Sequence, residues 1–371
     1  MKVGIPREVK NNEFRVALTP AGVHELVRHG HQVVIERNAG VGSSITDDEY
    51  VSAGARMLDD ADDVWAEADL LLKVKEPIEE EYHRLRGEQV LFTYLHLAAS
   101  KKCTDALLES GTTAIAYETV ELPNRALPLL APMSEVAGRL APQVGAYHLM
   151  RPTGGRGVLP GGVPGVLAGR AVVVGGGVSG WNAAQIAVGM GFHVTLLDKD
   201  IHKLKEADRI FGTKIQTVVS NAFELEKACL AADLVIGAVL IPGAKAPKLV
   251  TNELVSRMKP GSVLVDIAID QGGCFEDSYP TTHAEPTFAV HDSVFYCVAN
   301  MPGAVPNTST YALTNATLPY VVQLADQGWR DALRGDPALA RGLNTHAGEV
   351  VYREVAEAHG LVHVELEDVL G

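Results

Sequence analysis

Residues 169–198 read GRAVVVGGGVSGWNAAQIAVGMGFHVTLLD, and the order of residue types in this stretch decides the fold. The apolar run 171–174 reads as a buried strand, and glycines follow as a turn. Residues 181–189 read as an amphipathic helix, and 193–197 as a second strand that ends on Asp198. Gly175, Gly177 and Gly180 fall on the G-x-G-x-x-G spacing. The first glycine permits the tight turn, the second lets a pyrophosphate approach the backbone, and the third lets the helix pack closely on the sheet. The helix amino terminus adds unpaired N–H groups and a partial positive charge. The spacing alone is common by chance; the strand before it, the helix after it and the acid beyond make it a dinucleotide site. Asp198 is placed to accept both ribose hydroxyls and to repel a 2′-phosphate, so NAD is expected over NADP. Lys199 and Lys203 stand near enough to soften that discrimination, and the other reading of Asp198 is a solvated acid at a strand end.

Composition sets the outer bounds. The 371 residues are 47% hydrophobic and 21% charged, which suits two domains of ordinary size with real cores. A formal net charge of −14 argues against nucleic acid or an anionic membrane as partner, because phosphate binding rests on a positive field. Small molecules are the expected partners. No apolar run approaches the roughly 18 residues of a spanning helix. The opening MKVGIPREVK carries charge too early for a signal peptide. Cys103, Cys229, Cys274 and Cys297 are far apart with no C-x-x-C pair, so neither a zinc site nor a disulfide framework is expected. Reduced, buried thiols in a cytoplasmic protein are the expectation.

Before the glycine stretch, short apolar strands alternate with amphipathic helices. Strands are expected at 2–5, 32–36, 70–74, 90–95 and 113–117, with helices at 20–29, from about 47, and at 101–109. The helix at 20 has Thr19 as cap, Pro20 at its first position and Gly30 at its end. This pattern implies a second parallel α/β sheet. Lacking a glycine fingerprint, it is expected to hold substrate. Arg15, Lys75 and His96 sit where its strands end or its loops begin, and in an open parallel sheet those ends line the ligand crevice. Each has a plainer reading: Arg15 and Lys75 as solvated or ion-paired charges, His96 as a satisfied core histidine.

Residues 128–150, PLLAPMSEVAGRLAPQVGAYHLM, read as a long helix from about residue 132, kinked at Pro142, and a loop with six glycines and three prolines follows at 151–166. The domain change is placed at 128. Further strands are expected at 215–219, 234–240, 263–269 and 294–298, with helices at 203–211, 222–231 and 252–258, giving a doubly wound sheet. Val239 and Leu240, Asp270, and Asn300 with Met301 end three of these strands; Asp266 lies inside one and reads as structural. From residue 304 the chain is expected to return, helical after 308, with one or two helices and a strand-like VHVEL at the end. The expected architecture is therefore two doubly wound, Rossmann-like α/β domains separated by a cleft and joined by two long helices. Residues 1–127 with 305–371 form the substrate domain, and 128–304 the NAD-binding domain.

Several long segments then match a known family. GIPREVKNNEFRVALTP, KVKEP, FTYLHLA, LLAPMSEVAGRLAPQVGAYHLM, DIAIDQGGCFE and VANMPGAVPNTSTYALTNAT closely resemble alanine dehydrogenase, across essentially the whole chain. The wider family includes the NAD-binding subunit of proton-translocating transhydrogenase. The resemblance implies NAD-dependent oxidative deamination of L-alanine to pyruvate and ammonium, and the reverse reductive amination, commonly by hexamers. It implies that Arg15 and Lys75 hold the substrate carboxylate, that His96 is the acid/base and that Asp270 is its partner. It also implies cofactor contacts at Ser134, Val178, Lys203, Ser220, Val239, Leu240, Ile267, Asp270, Val298, Asn300 and Met301, beside Gly175, Gly177, Gly180 and Asp198. Two departures stand out. The turn is GGGVSG where the family more often has alanine second, and Gln323 and Gln327 replace an acid and a histidine proposed to bind a divalent ion in some relatives. Two amides are poor ligands, so no metal is expected there.

The chemistry of such a substrate agrees with these residue types. A guanidinium can bind a carboxylate bidentately and an ammonium adds a point charge. The substrate amine must lose a proton before Cα gives up hydride, and water must then attack the iminium, so a group that exchanges protons near neutral pH is required. Asp270 can stabilise the developing cation or orient water, or else make a ribose or structural hydrogen bond. A transhydrogenase subunit would need no amino-acid site, and a nucleotide-binding protein that had lost the chemistry would share the fold.

Overall fold

The apolar runs assemble into two separate sheets in the computed structural model, which describes residues 1–239 and 246–371. The chain divides into two compact units, Met1–Met133 with Val305–Gly371, and Ser134–Ala304. The first division falls inside the helix Ala131–His148, which carries Pro142 in its interior, and not at residue 128.

The first unit holds β1 (Lys2–Ile5), β2 (Gln32–Glu36), β3 (Arg56–Leu58), β4 (Leu70–Leu72), β5 (Val90–Thr93) and β6 (Thr113–Ala116). Their order is β3-β2-β1-β4-β5-β6, and all these neighbours pair in parallel. In the second unit, β7 (Arg170–Val174), β8 (His193–Asp198), β9 (Ile215–Val219), β10 (Leu234–Gly237), β11 (Val263–Asp266), β12 (Thr287–Val290) and β13 (Ser293–Tyr296) lie in the order β9-β8-β7-β10-β11-β13-β12. Only β12 runs antiparallel. Two late strands, β14 (Leu343–His346) and β15 (Glu349–Val350), extend the first sheet as an antiparallel hairpin beyond β6. Both sheets reverse direction of growth beside their first strand, at β1/β4 and β7/β10, the place where open α/β sheets bind ligands.

Alternation shows why helices cover both faces. Ala171 and Val173 enter one buried cluster with Ala184 and Leu196, whereas Val172 and Val174 enter another with Leu225 and Val235. A strand buried on both faces reads as a continuous apolar run, and RAVVV does so. In the first unit Val34, Leu71, Leu91 and Ala114 gather with Trp65 and Leu107.

Several boundaries depart from expectation, each for a local reason. β4 stops at Leu72 and β5 at Thr93, where the chain leaves the sheet to deliver Lys73–Lys75 and Leu95–His96 to carboxylates. β11 ends on Asp266, because that residue caps the 3-10 turn Ile267–Gln271. The strand β3 and the helix Ala61–Glu67, capped by Asp60, had no counterpart in the sequence reading. The return helix Pro306–Gln327 begins three residues early, with proline in its first turn. VHVEL is not a strand: only His363 bridges, to Val350, and the helix Leu366–Leu370 follows.

Candidate active site

In the second unit the glycine turn is fixed by sterics. Gly175 has φ +104, and a Cβ there would lie 2.7 Å from the Ala238 carbonyl. At Gly180 a Cβ would lie 1.7 Å from the Gly175 carbonyl, so no other residue lets the helix start so close to β7. Gly177 differs: a Cβ would meet nothing within 4 Å. It is the cap of the helix Val178–Gly189 and offers no side-chain acceptor to the first-turn N–H groups. Open space over a helix amino terminus that lacks its own cap suits a phosphate. Beside it the half-buried Asp198 is held at both oxygens: Oδ2 accepts from Gly176 N at 2.6 Å, and Oδ1 from Asp200 N at 2.8 Å. Lys203 Nζ stands 3.6 Å from Oδ2. A carboxylate fixed in this way presents a preset acceptor for a ribose diol, so these residues fit a dinucleotide.

The other expected cofactor positions collect at the same carboxyl edge. Val178 is exposed in the first helical turn, and Ser220 follows β9, its N–H donating to the Asp198 carbonyl at 2.9 Å. Val239 follows β10, while Leu240 lies outside the described residues. Ile267 and the exposed Asp270 share the 3-10 turn after β11. Beyond β13 come buried Val298 and Met301, and between them Asn300 in the left-handed region at φ 61. Ser134 is half-buried in the first turn of the helix Ala131–His148.

In the first unit the site residues also follow strand ends. β1 and β4 are neighbours, so the loop after one brings Glu8, Glu13 and Arg15 to the residues after the other, Lys73 and Lys75. Glu8 accepts from Val74 N at 2.6 Å and Lys75 N at 3.4 Å, and pairs with Lys73 Nζ at 3.1 Å. Lys73, fully buried, also pairs with Glu81 at 2.9 Å. Burial pushes the Glu8 carboxyl above its ordinary range, against the opposing pull of Lys73. Burial would depress the Lys73 ammonium, but the charges of Glu8 and Glu81 outweigh it and hold the pKa above its usual value. Lys75 itself is half-buried, and Thr93 Oγ1 donates to its carbonyl at 3.1 Å.

Arg15 is 1% exposed. Its Nε and Nη2 donate to the two oxygens of Glu13 at 2.7 and 2.6 Å, and Nη1 donates to Met133 Sδ at 2.9 Å. Desolvation would lower its pKa; the Glu13 hydrogen bond and charge more than offset that and raise it. The guanidinium fork that the sequence reading assigned to substrate is therefore taken by Glu13.

His96 ends the β5 segment with an exposed ring and a left-handed backbone at φ 49. Glu118 holds that conformation, accepting from His96 N at 2.6 Å and from Leu95 N at 3.2 Å. Its Oε1 lies 3.9 Å from His96 Nδ1, and the imidazole stacks on Tyr94 with centroids 5.9 Å apart. A histidine open on one side and faced by a carboxylate on the other can pass protons to a ligand. Buried Tyr117 packs edge-on against Tyr94.

Models of the two domains of one family match the chain in succession. The one described as alanine dehydrogenase/PNT, N-terminal domain, matches residues 4–137, and its C-terminal counterpart matches residues 141–353. The chain belongs to the alanine dehydrogenase/PNT family. An alanine dehydrogenase of Mycobacterium tuberculosis (strain CDC 1551 / Oshkosh) is 67% identical over 370 residues, covering 100% of both chains. Among solved structures, an L-alanine dehydrogenase is 52% identical with a TM-score of 0.95, covering 97% of this chain and 99% of that one. A transhydrogenase from Sinorhizobium meliloti is 28% identical with a TM-score of 0.82, covering 95% and 99%.

Within the alanine dehydrogenase/PNT family this chain's two departures acquire structural settings. A Cβ at Gly176 would lie 3.2 Å from Asp198 Oδ2, a tight fit that a small shift of the carboxylate accommodates. Gln323 donates to the Ala332 carbonyl at 3.1 Å, tying two helices. The sequence reading overlooked the carboxylates behind the cations: Glu8, Glu13, Glu81 and Glu118. A signal was present, since Glu8 and Glu13 lie in the loop between the first strand and the helix at 20, but no spacing rule marks an acid that folds inward.

Proposed function

We propose that this chain catalyses NAD-dependent oxidative deamination of L-alanine to pyruvate and ammonium, and the reverse reductive amination. One observation carries the reading: identity of 67% along the entire length to an alanine dehydrogenase, against 28% to the transhydrogenase structure. The residues fit it. Arg15 and Lys75 bind the substrate carboxylate. With Glu13 on the guanidinium fork, Arg15 meets substrate through Nη1, whose thioether partner is a weak acceptor and readily exchanged. His96 takes the proton of the substrate ammonium and later handles that of the attacking water. Asp270 stabilises the cationic carbon centre or orients the water. When bound, NAD supplies the acceptor for the Cα hydride. Gly175, Gly177, Gly180, Ser134, Val178, Lys203, Ser220, Val239, Leu240, Ile267, Asp270, Val298, Asn300 and Met301 line its place, with Asp198 on the adenosine ribose. No described helix is long and apolar enough to cross a membrane. The chain acts as a cytoplasmic homo-oligomer, a hexamer as its resemblance to alanine dehydrogenases implies.

The decisive assay mixes enzyme, L-alanine and NAD and follows absorbance of the reduced cofactor, with oxidised and reduced nucleotides alone as a control. Alanine-dependent reduction is expected. Hydride exchange between nucleotides without alanine turnover would establish the transhydrogenase reading instead, and light scattering of the eluted protein would test the hexamer.

A further inference from the structure

Asp266 ends β11 four residues before Asp270 and is fully buried. It accepts from Ala268 N at 3.1 Å, Cys274 N at 2.9 Å, Phe275 N at 3.3 Å, Ser278 Oγ at 2.6 Å and Cys274 Sγ at 3.5 Å. Among the described residues no cation pairs with it. The chain is bent to reach it: Gly272 and Gly273 both lie at positive φ, +90 and +74, and a Cβ on Gly273 would come within 2.6 Å of Asp266 Oδ2. The turn closes through Gly272 N to the Ile269 carbonyl at 2.9 Å and Gly273 N to the Ala268 carbonyl at 3.0 Å. Lys248 Nζ braces the far side, on the carbonyls of Gly272 and Phe275 at 2.5 and 2.8 Å. Thus the stretch that carries the exposed Asp270 is tied to one buried carboxylate on both sides, at Ala268 before it and at Cys274, Phe275 and Ser278 after it.

We propose that Asp266 is the positioning residue for Asp270: through the five donors it gathers, it fixes the turn that aims the Asp270 carboxylate, and turnover depends on it. The proposal rests on the catalytic reading of Asp270 given above. A buried carboxylate satisfied only by dipoles is a costly way to hold a loop, since burial disfavours its charged form. An apolar residue at the end of β11 would serve packing alone. What the carboxylate adds is fixation of five donors at one point, and a misplacement of about 1 Å at a reacting group can cost about a hundredfold in rate.

The test uses the full-length enzyme as Asp266→Asn, Ser278→Ala and Asp270→Asn, with kcat, the alanine KM, NADH affinity and amide exchange of residues 267–275 measured for each. Asp266→Asn is expected to lower kcat by about 10- to 100-fold, with much smaller losses in KM and NADH affinity although the turn also carries the proposed cofactor contacts Ile267 and Asp270, and to speed exchange in the turn. Ser278→Ala, which removes one donor and keeps the carboxylate, is expected to lower kcat a few-fold in the same pattern. It carries the test if the asparagine variant does not fold. Unchanged kcat in these variants beside an impaired Asp270→Asn would overturn the proposal, as would an equal loss of kcat and NADH affinity, the mark of a merely structural acid. Full turnover by Asp270→Asn would overturn the catalytic reading itself, and is visible in that variant alone.

Discussion

The two units share the order of their first five strands and furnish the carboxyl edge by opposite means. In Ser134–Ala304 the nucleotide cradle is backbone: three glycines, an uncapped helix start and one acid held by main-chain N–H groups. In the unit built from Met1–Met133 and Val305–Gly371 the corresponding edge is side chain. Arg15, Lys73 and the residues around Lys75 and His96 are each tied to a carboxylate, from two residues away for Arg15 to 65 for Lys73. A backbone site depends on space; a side-chain site depends on every partner being present.

That contrast can be broken by substitution. The largest effect is expected at His96→Ala, where loss of the proton-transfer group should cut turnover about 10²- to 10⁴-fold while NADH fluorescence titrations stay nearly unchanged; substantial residual turnover would remove His96 as acid/base. Next, Glu13→Gln removes the buried ion pair of Arg15 and should destabilise the first unit by about 3–5 kcal/mol in urea unfolding. A loss below about 1 kcal/mol would mean that this edge does not depend on its pairs. In the other unit, Gly180→Ala should cost about 1–3 kcal/mol through overpacking. Gly177→Ala should leave stability intact and weaken only NADH binding, so equal stability losses would sink the division between packing and ligand glycines. Asp198→Gly should let NADP compete, and an unchanged NAD/NADP preference would show that another group reads the ribose.

The smallest effect concerns the exposed Asp326. Asp326 accepts from His31 Nε2 at 2.7 Å and His29 Nδ1 at 2.9 Å, and the His31 hydrogen bond leads in holding its carboxyl below the ordinary range. A lowered acid stabilises the fold above its unfolded pKa, and that stabilisation is lost as pH falls through the lower folded value. Asp326→Asn should therefore cost under about 1 kcal/mol near neutrality. The difference from wild type should shrink to nothing in acid; a difference that grew on acidification would reverse the assignment.

The same contrast explains what was legible. Gly175, Gly177, Gly180 and Asp198 announce themselves because their spacing, between one strand and the end of the next, is a known pattern. Thr19 and Pro20 likewise fix the start of the helix Pro20–Arg28, where Thr19 accepts from Gly22 N. Arg15, Lys75 and His96 could be placed at strand ends, but their carboxylates could not. Glu118 reaches His96 across 22 residues and Glu8 reaches Lys73 across 65, contacts that exist only after the sheet forms. The overlong strands at 90–95 and 263–269 arise because apolar residues continue past the last paired residues, Thr93 and Asp266; at 70–74 it is Lys73 that leaves the sheet, to meet Glu8 and Glu81.

The hairpin of β14 and β15 sets an order of assembly on the ribosome. The whole seven-stranded sheet has emerged once residue 304 leaves the exit tunnel, whereas β6 still waits for a neighbour some 230 positions downstream in the sequence. The nascent amino-terminal half must therefore carry a bare sheet edge through most of translation, while the inserted half can already be folded. Ribosome-stalled chains long enough to expose residue 304 but not β14 should resist protease in the inserted half and remain sensitive in the half that was made first.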